Sequence, residues 1–139
     1  MVEIWAVERI QDIRHVRSFI NRLQFRRLKA KWLLKNRPGW SRKKLDYVER
    51  QCKNWLYIRR KYETEMLPPS RDIDEFWHAH ILDSVAYHRH MNKIFGHYLH
   101  HHPYIGLVRD DRRRLKLAFK QTQLRFEQEF GTKIYDFHD

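Results

Sequence analysis

The chain has 139 residues, 42% of them apolar and 14% aromatic, which is enough to bury a core and too much for a disordered chain despite 33% charge. Four glycines and four prolines leave too little punctuation for a turn-rich β-sandwich or barrel. The single cysteine, Cys52, excludes an internal disulfide and Cys-rich zinc modules, and no run of about 18 apolar residues suggests a membrane span.

The expected elements are helices nearly throughout. Ile4, Val7, Ile10, Ile13, Val16, Phe19, Ile20 and Leu23 recur at three- and four-residue spacing, which predicts a first amphipathic helix. A second is expected over residues 25–35, with Leu28, Trp32 and Leu33 inward. "NRPGWS" then interrupts the chain, and Ser41 can cap a third helix over residues 42–62 that turns Leu45, Val48, Cys52, Trp55, Leu56 and Ile58 to the interior. Two prolines in "MLPPS" form a loop, and a fourth helix is predicted over residues 72–94, with Gly96 near its end. After the connector "HYLHHHPYIGL", a fifth helix over residues 110–130 is expected to use Leu115, Leu117, Phe119, Leu124 and Phe126. The tail "TKIYDFHD" reads as short extended chain packed on the rest. The fold class is therefore all-α: one domain over residues 1–139, a compact bundle of about five helices around a central, buried, histidine-containing helix.

Eight of the ten histidines fall between residues 74 and 104. Plotted at about 100° per residue, the fourth helix has one apolar arc with Trp77, Ile81, Leu82 and Val85 and another, nearly opposite, with Phe76, Tyr87, Met91 and Ile94. His78 lies in the first arc and His80 in the second. Asp74 precedes His78 by one turn, and Asp83 follows His80 by three residues, so each carboxylate can reach its imidazole. Three accounts of these pairs stand: a metal site, a metal-free acid–base device, or structural hydrogen bonds. Residues two apart on a helix diverge by about 200°, so His78 and His80 do not readily share an ion. The favoured ligand set is Asp74 and His78 with His100 and His101 from the connector. His80 and Asp83 are expected to orient that shell with Tyr87. Zinc, iron or copper all suit such donors, and no HExxH or zinc-finger spacing selects among them. His88, His90 and His97 read as solvent-exposed or hydrogen-bonded partners, and Cys52 as an inert core residue.

The segments "GWS", "PPSRDIDEFWHAHILD", "FGHYLHHHPYIG" and "QEFG" resemble bacterial relatives of the glycine-rich domain-containing protein-like family. The resemblance spans residues 23–131, and its specific parts are Trp77-His78-x-His80, Tyr87, Phe95-Gly96 and Leu99-His100-His101-x-Pro103-Tyr104. It implies a shared site drawn from His78, His80, Asp83, His100 and His101, and carries no activity with it. The chain lacks a glycine-rich region. Relatives typically have Asp-Cys where this chain has His90-Met91, another pair of soft-metal donors, which keeps copper open.

Charge supplies the rival reading. Residues 1–61 hold 18 Lys/Arg against 5 Asp/Glu, a net +13, whereas residues 62–139 hold 11 against 12. A non-enzymatic adaptor could hold nucleic acid or an acidic protein or peptide on Arg26, Arg27, Lys29, Lys31, Arg42, Lys43 and Lys44, with Trp40 as a stacking ring. Solvated helix faces would look the same. A start without an uninterrupted apolar stretch argues against a secretory leader, the lack of a spanning apolar run argues against a membrane partner, and the lone cysteine fits a reducing, cytoplasmic setting. The leading expectation is transition-metal binding, with oxidative or hydrolytic catalysis at the metal left unassigned.

Overall fold

The structure, a computed structural model, describes residues 9–36, 39–101 and 109–137. Among them are six helices: α1 (Ile13–Asn21), α2 (Arg26–Lys35), α3 (Arg42–Lys61), α4 (Arg71–Leu82), α5 (Ser84–Phe95) and α6 (Arg109–Phe130). The described residues form no strand, so the all-α class holds. No helix among them is long and apolar enough to cross a membrane.

Side-chain caps mark the starts of α1, α3 and α4. Asp12 Oδ1 accepts from the Arg14 amide at 2.8 Å, Ser41 Oγ from the Lys44 amide at 3.1 Å, and Ser70 Oγ from the Ile73 amide at 3.2 Å. Each bond satisfies a donor that the first turn would otherwise leave unpaired. Gly96 ends α5 with φ 78°, a left-handed conformation that costs little without a Cβ, and turns the chain into the connector.

The helix count differs from the expected five because the stretch predicted over 72–94 divides at Asp83. There φ is −83° and ψ 69°, outside the helical region. The Asp83 amide donates to His80 O, tightening the last turn of α4, and Asp83 O accepts from the Tyr87 amide to open α5. Asp and Ser are poor helix-interior residues because their short polar side chains compete for the backbone. The break also voids the continuous wheel. Leu82 and Val85, placed on an apolar arc, are 69% and 76% exposed.

α3 is the central element, packing on α1, α4 and α6, while α5 packs on α4 and α1. Leu45, Val48, Cys52, Trp55, Leu56 and Ile58 are all buried, as their spacing predicts. Its long cations fasten neighbouring chain ends. Arg60 Nε donates to Ile94 O and its Nη2 to Ile10 O, both at 2.9 Å, and Lys53 Nζ donates to Leu23 O at 2.8 Å. Burying these charges is tolerable because each meets carbonyl oxygens.

α6 departs from expectation. Phe126 and Thr122 are buried and Leu115 and Phe119 half-buried, while Leu117 is 65% and Leu124 46% exposed. Residues 115, 119, 122 and 126 follow the spacing of one helical stripe, and Leu117 lies two residues off it. Thr122 Oγ1 donates to Pro68 O at 2.8 Å, tying α6 to the two-proline loop. The tail packs on α3 and α6 as irregular chain: Tyr47 Oη donates to Tyr135 O at 3.0 Å, and the Ile134 amide to Gln123 Oε1 at 2.7 Å.

Candidate metal centre and its cleft

Two segments supply the site. α4 carries Asp74 and His78 one turn apart on one face, and the connector after Gly96 carries His101. His101 Nε2 lies 2.9 Å from Asp74 Oδ1, in hydrogen-bond contact. The His101 ring packs on Trp77 at 4.9 Å between centroids and stands 5.9 Å from the ring of His78. Asp74 is half-buried and His78 exposed.

Tyr87 holds the connector in place. Its hydroxyl is buried, accepts from Trp77 Nε1 at 2.9 Å and donates to Leu99 O at 2.5 Å. One oxygen thus joins α5, α4 and the connector two residues before His101. Burial pushes the phenol's pKa up, so it stays a neutral donor.

The pair borders a cleft of about 680 Å³. Leu67, Pro68, Pro69, Trp77 and Leu99 give it apolar lining, and Arg59, Arg71, His97 and His100 add polar groups. That size suits a small organic molecule. Arg59 was not anticipated: it sits in the run Arg59-Arg60-Lys61, where sequence offers no means to separate a cleft-lining guanidinium from a structural one.

The remaining expected ligands are placed differently. His100 lines the cleft but is exposed and lies against Tyr98, 4.8 Å between centroids, rather than joining Asp74. His102 lies outside the described residues. Among the described residues, no three His, Cys, Asp or Glu side chains are already gathered as a metal would need them.

His80 does not pair with Asp83. The chain leaves the helix at Asp83, whose side chain is exposed, and the turn into α5 brings His90 to His80 instead. His80 Nε2 and His90 Nδ1 are 2.8 Å apart. Phe25 and Tyr87 meet the His80 ring edge-on, each 4.8 Å between centroids. His80 is 1% exposed, and its Nδ1 has no partner among the described residues. Burial, reinforced by His90, lowers its pKa to about 3, and burial with the nearby Arg89 lowers that of His90 to about 4. Both rings are therefore neutral at pH 7. His80 is a core residue that fixes α4 against α5, not an orienting partner in contact with Asp74 or His101. His88 and His97 are exposed, and His97 Nδ1 donates to Tyr98 O at 3.1 Å.

The basic face is thinner than its composition. Arg26, Arg27, Lys31, Arg42 and Lys43 are exposed. Lys29 instead meets Asp46 at 2.6 Å and Glu49 at 2.7 Å, and Lys44 faces Asp72 at 3.4 Å while lying over the Trp40 ring. Trp40 is buried against Trp32, with centroids 4.7 Å apart, so it is a core ring rather than a stacking platform. Cys52 is buried, and desolvation pushes its thiol pKa far up.

No curated protein and no solved structure matches the chain. A family model described as UCP032817-like matches residues 15–127, a span that begins in α1, ends within α6 and includes Asp74, His78, Tyr87 and His101. On that match, the chain belongs to the UCP032817-like family.

Proposed function

We propose that this protein binds one divalent transition-metal ion through Asp74, His78 and His101, with the cleft beside them receiving a small molecule. The observation that supports this is the 2.9 Å approach of His101 Nε2 to Asp74 Oδ1 from separate segments. Two neighbouring ligands held about 2.1 Å from an ion at a right angle stand about 3.0 Å apart. An ion could therefore replace the shared proton with little movement of either group.

His78 supplies the third donor by rotation. Its exposed side chain shares the α4 face of Asp74, and its ring is 5.9 Å from that of His101. Imidazoles on one ion have centroids roughly 5 Å apart, given metal–nitrogen bonds of about 2.1 Å. Two imidazoles and one carboxylate leave coordination positions open, and such an ion supplies Lewis-acid or oxygen chemistry. The chain's own contribution is orientation. Tyr87 and Trp77 hold the connector, and the resemblance to the glycine-rich domain-containing protein-like family includes His78, Tyr87 and His101 among its specific positions.

The test is cobalt titration of tag-free protein, read by visible absorption and calorimetry. One equivalent should bind, and Asp74→Asn or His101→Ala should weaken it by about 100-fold or more. Sub-stoichiometric cobalt, or full affinity in both variants, overturns the reading.

A second reading rests on Arg26, Arg27, Lys31, Arg42 and Lys43, five exposed cations on α2 and the start of α3, elements joined by the Lys29 ion pairs. They would hold an acidic partner such as nucleic acid. With five phosphate contacts, affinity should fall roughly 10²- to 10³-fold between 50 and 200 mM salt. Salt-independent binding removes this reading.

A further inference from the structure

Arg59 is the unexplained charge of the cleft. Its guanidinium lies over the Trp55 ring, 5.2 Å from the centroid, and the residue is half-buried. Among the described residues it has no carboxylate or hydrogen-bond partner. Its sequence neighbours are different. Arg60 is satisfied by carbonyls and Lys61 is paired with Glu129. The two carboxylates that line the same cleft are already engaged. Glu65 accepts from Arg125 Nε and from Gln121 Nε2, each at 3.0 Å, and Asp74 is held by His101. Desolvation lowers the pKa of Arg59 below the usual arginine range, as expected of a cation taken from water without compensation.

We propose that Arg59 anchors a small ligand bearing a single carboxylate and an apolar body, seated in the cleft between α4, residues 67–70 and the connector. The guanidinium offers a planar pair of donors that matches the two oxygens of a carboxylate, and the cation–π contact keeps that plane from rotating freely. Leu67, Pro68, Trp77 and Leu99 give an apolar body its walls. Charge count favours a carboxylate over a phosphate. One half-buried cation neutralises one negative charge, whereas a dianion would leave an uncompensated charge beside Asp74. Arg71 also lines the cleft but is exposed, where water screens it.

This inference takes the ligand's chemistry further than the metal reading and rests on the same cleft being the functional one, but it does not need the ion. The probe is benzoate, with benzamide as its neutral isostere, followed by ligand-detected magnetic resonance and tryptophan fluorescence on protein stripped of metal with chelator. Benzoate should bind, benzamide should not compete, and Arg59→Met should weaken benzoate by roughly 10- to 100-fold. Arg59→Lys, which keeps the charge and loses the fork, should fall between. Equal binding of benzoate and benzamide, which requires no variant, overturns the proposal, as does unchanged benzoate affinity in Arg59→Met. Binding that needs added cobalt and ignores Arg59 assigns the carboxylate to the metal and also overturns it. Retained benzoate binding in His101→Ala, with cobalt binding absent from the parent, sinks the metal reading and leaves this one standing.

Discussion

Replacing Tyr87 by phenylalanine removes one oxygen and leaves the ring. In the parent that oxygen accepts from Trp77 Nε1 at 2.9 Å and donates to Leu99 O at 2.5 Å, both within a buried environment. Neither partner has another hydrogen bond among the side-chain bonds of the described residues, so the substitution strands one donor and one acceptor. Each stranded buried group costs about 1–3 kcal/mol, and local relaxation recovers part of that, so about 2–4 kcal/mol of stability should go. For a chain of this size, at about 3 °C per kcal/mol, the midpoint of thermal unfolding should fall by roughly 6–12 °C. The consequence for the site is separate. Leu99 is two residues from His101, so a loosened connector should lower cobalt affinity by about 10-fold, the usual scale for losing a group that orients a ligand. Urea denaturation measures the first effect and cobalt titration the second. A stability loss under about 0.5 kcal/mol together with unchanged cobalt affinity would refute the view that this hydroxyl fastens the connector.

Stability should also respond to acid well above the carboxylate range. His80 has its pKa lowered to about 3 in the fold, against 6.5 unfolded, so between those values the unfolded chain binds more protons and stability falls as pH falls. From pH 7 to pH 5 His80 alone should cost about 2 kcal/mol, with a comparable addition from His90, whose pKa is lowered to about 4; flat denaturation midpoints over that interval would contradict its buried neutral state. Thr122→Val keeps the shape of a fully buried side chain but strands Pro68 O, and should cost about 1–2 kcal/mol in urea denaturation. A neutral result would mean that α6 is not fastened to the two-proline loop through this bond. Cys52 should resist thiol-directed reagents at pH 8 until denaturant is added, because its thiol is buried and its pKa raised. Rapid labelling of the native protein would show that the core around α3 opens.

Much of the fold was legible because helical spacing is a local signal. The stripe of α3 and the cap at Ser41 depend on residues a few positions apart, and each is found where expected. What misled was also local. Residues 72–94 show apolar positions at helical spacing throughout, and only the Asp83-Ser84 pair hinted at a break. Once α4 and α5 part there, the phase relating His80 to Asp83 is lost, and His90 takes the place given to the carboxylate. Leu117 and Leu124 similarly looked like core residues because hydrophobicity alone does not say which stripe of α6 faces α3.

The sequence by itself determined that this chain is helical, that Asp74 and His78 share a helix face, and that the connector carries further imidazoles. Those properties follow from 3.6-residue periodicity and capping chemistry, which act over one or two turns. Only the tertiary structure decided that His101 meets Asp74 while His100 turns to Tyr98, that Lys29 and Lys44 are spent on ion pairs, and that Arg59 lines a cleft with no carboxylate paired to it among the described residues. The physical reason is that each of these outcomes depends on where two distant segments cross. That crossing is set by packing around α3 and by the Tyr87 bridge, which no local pattern encodes.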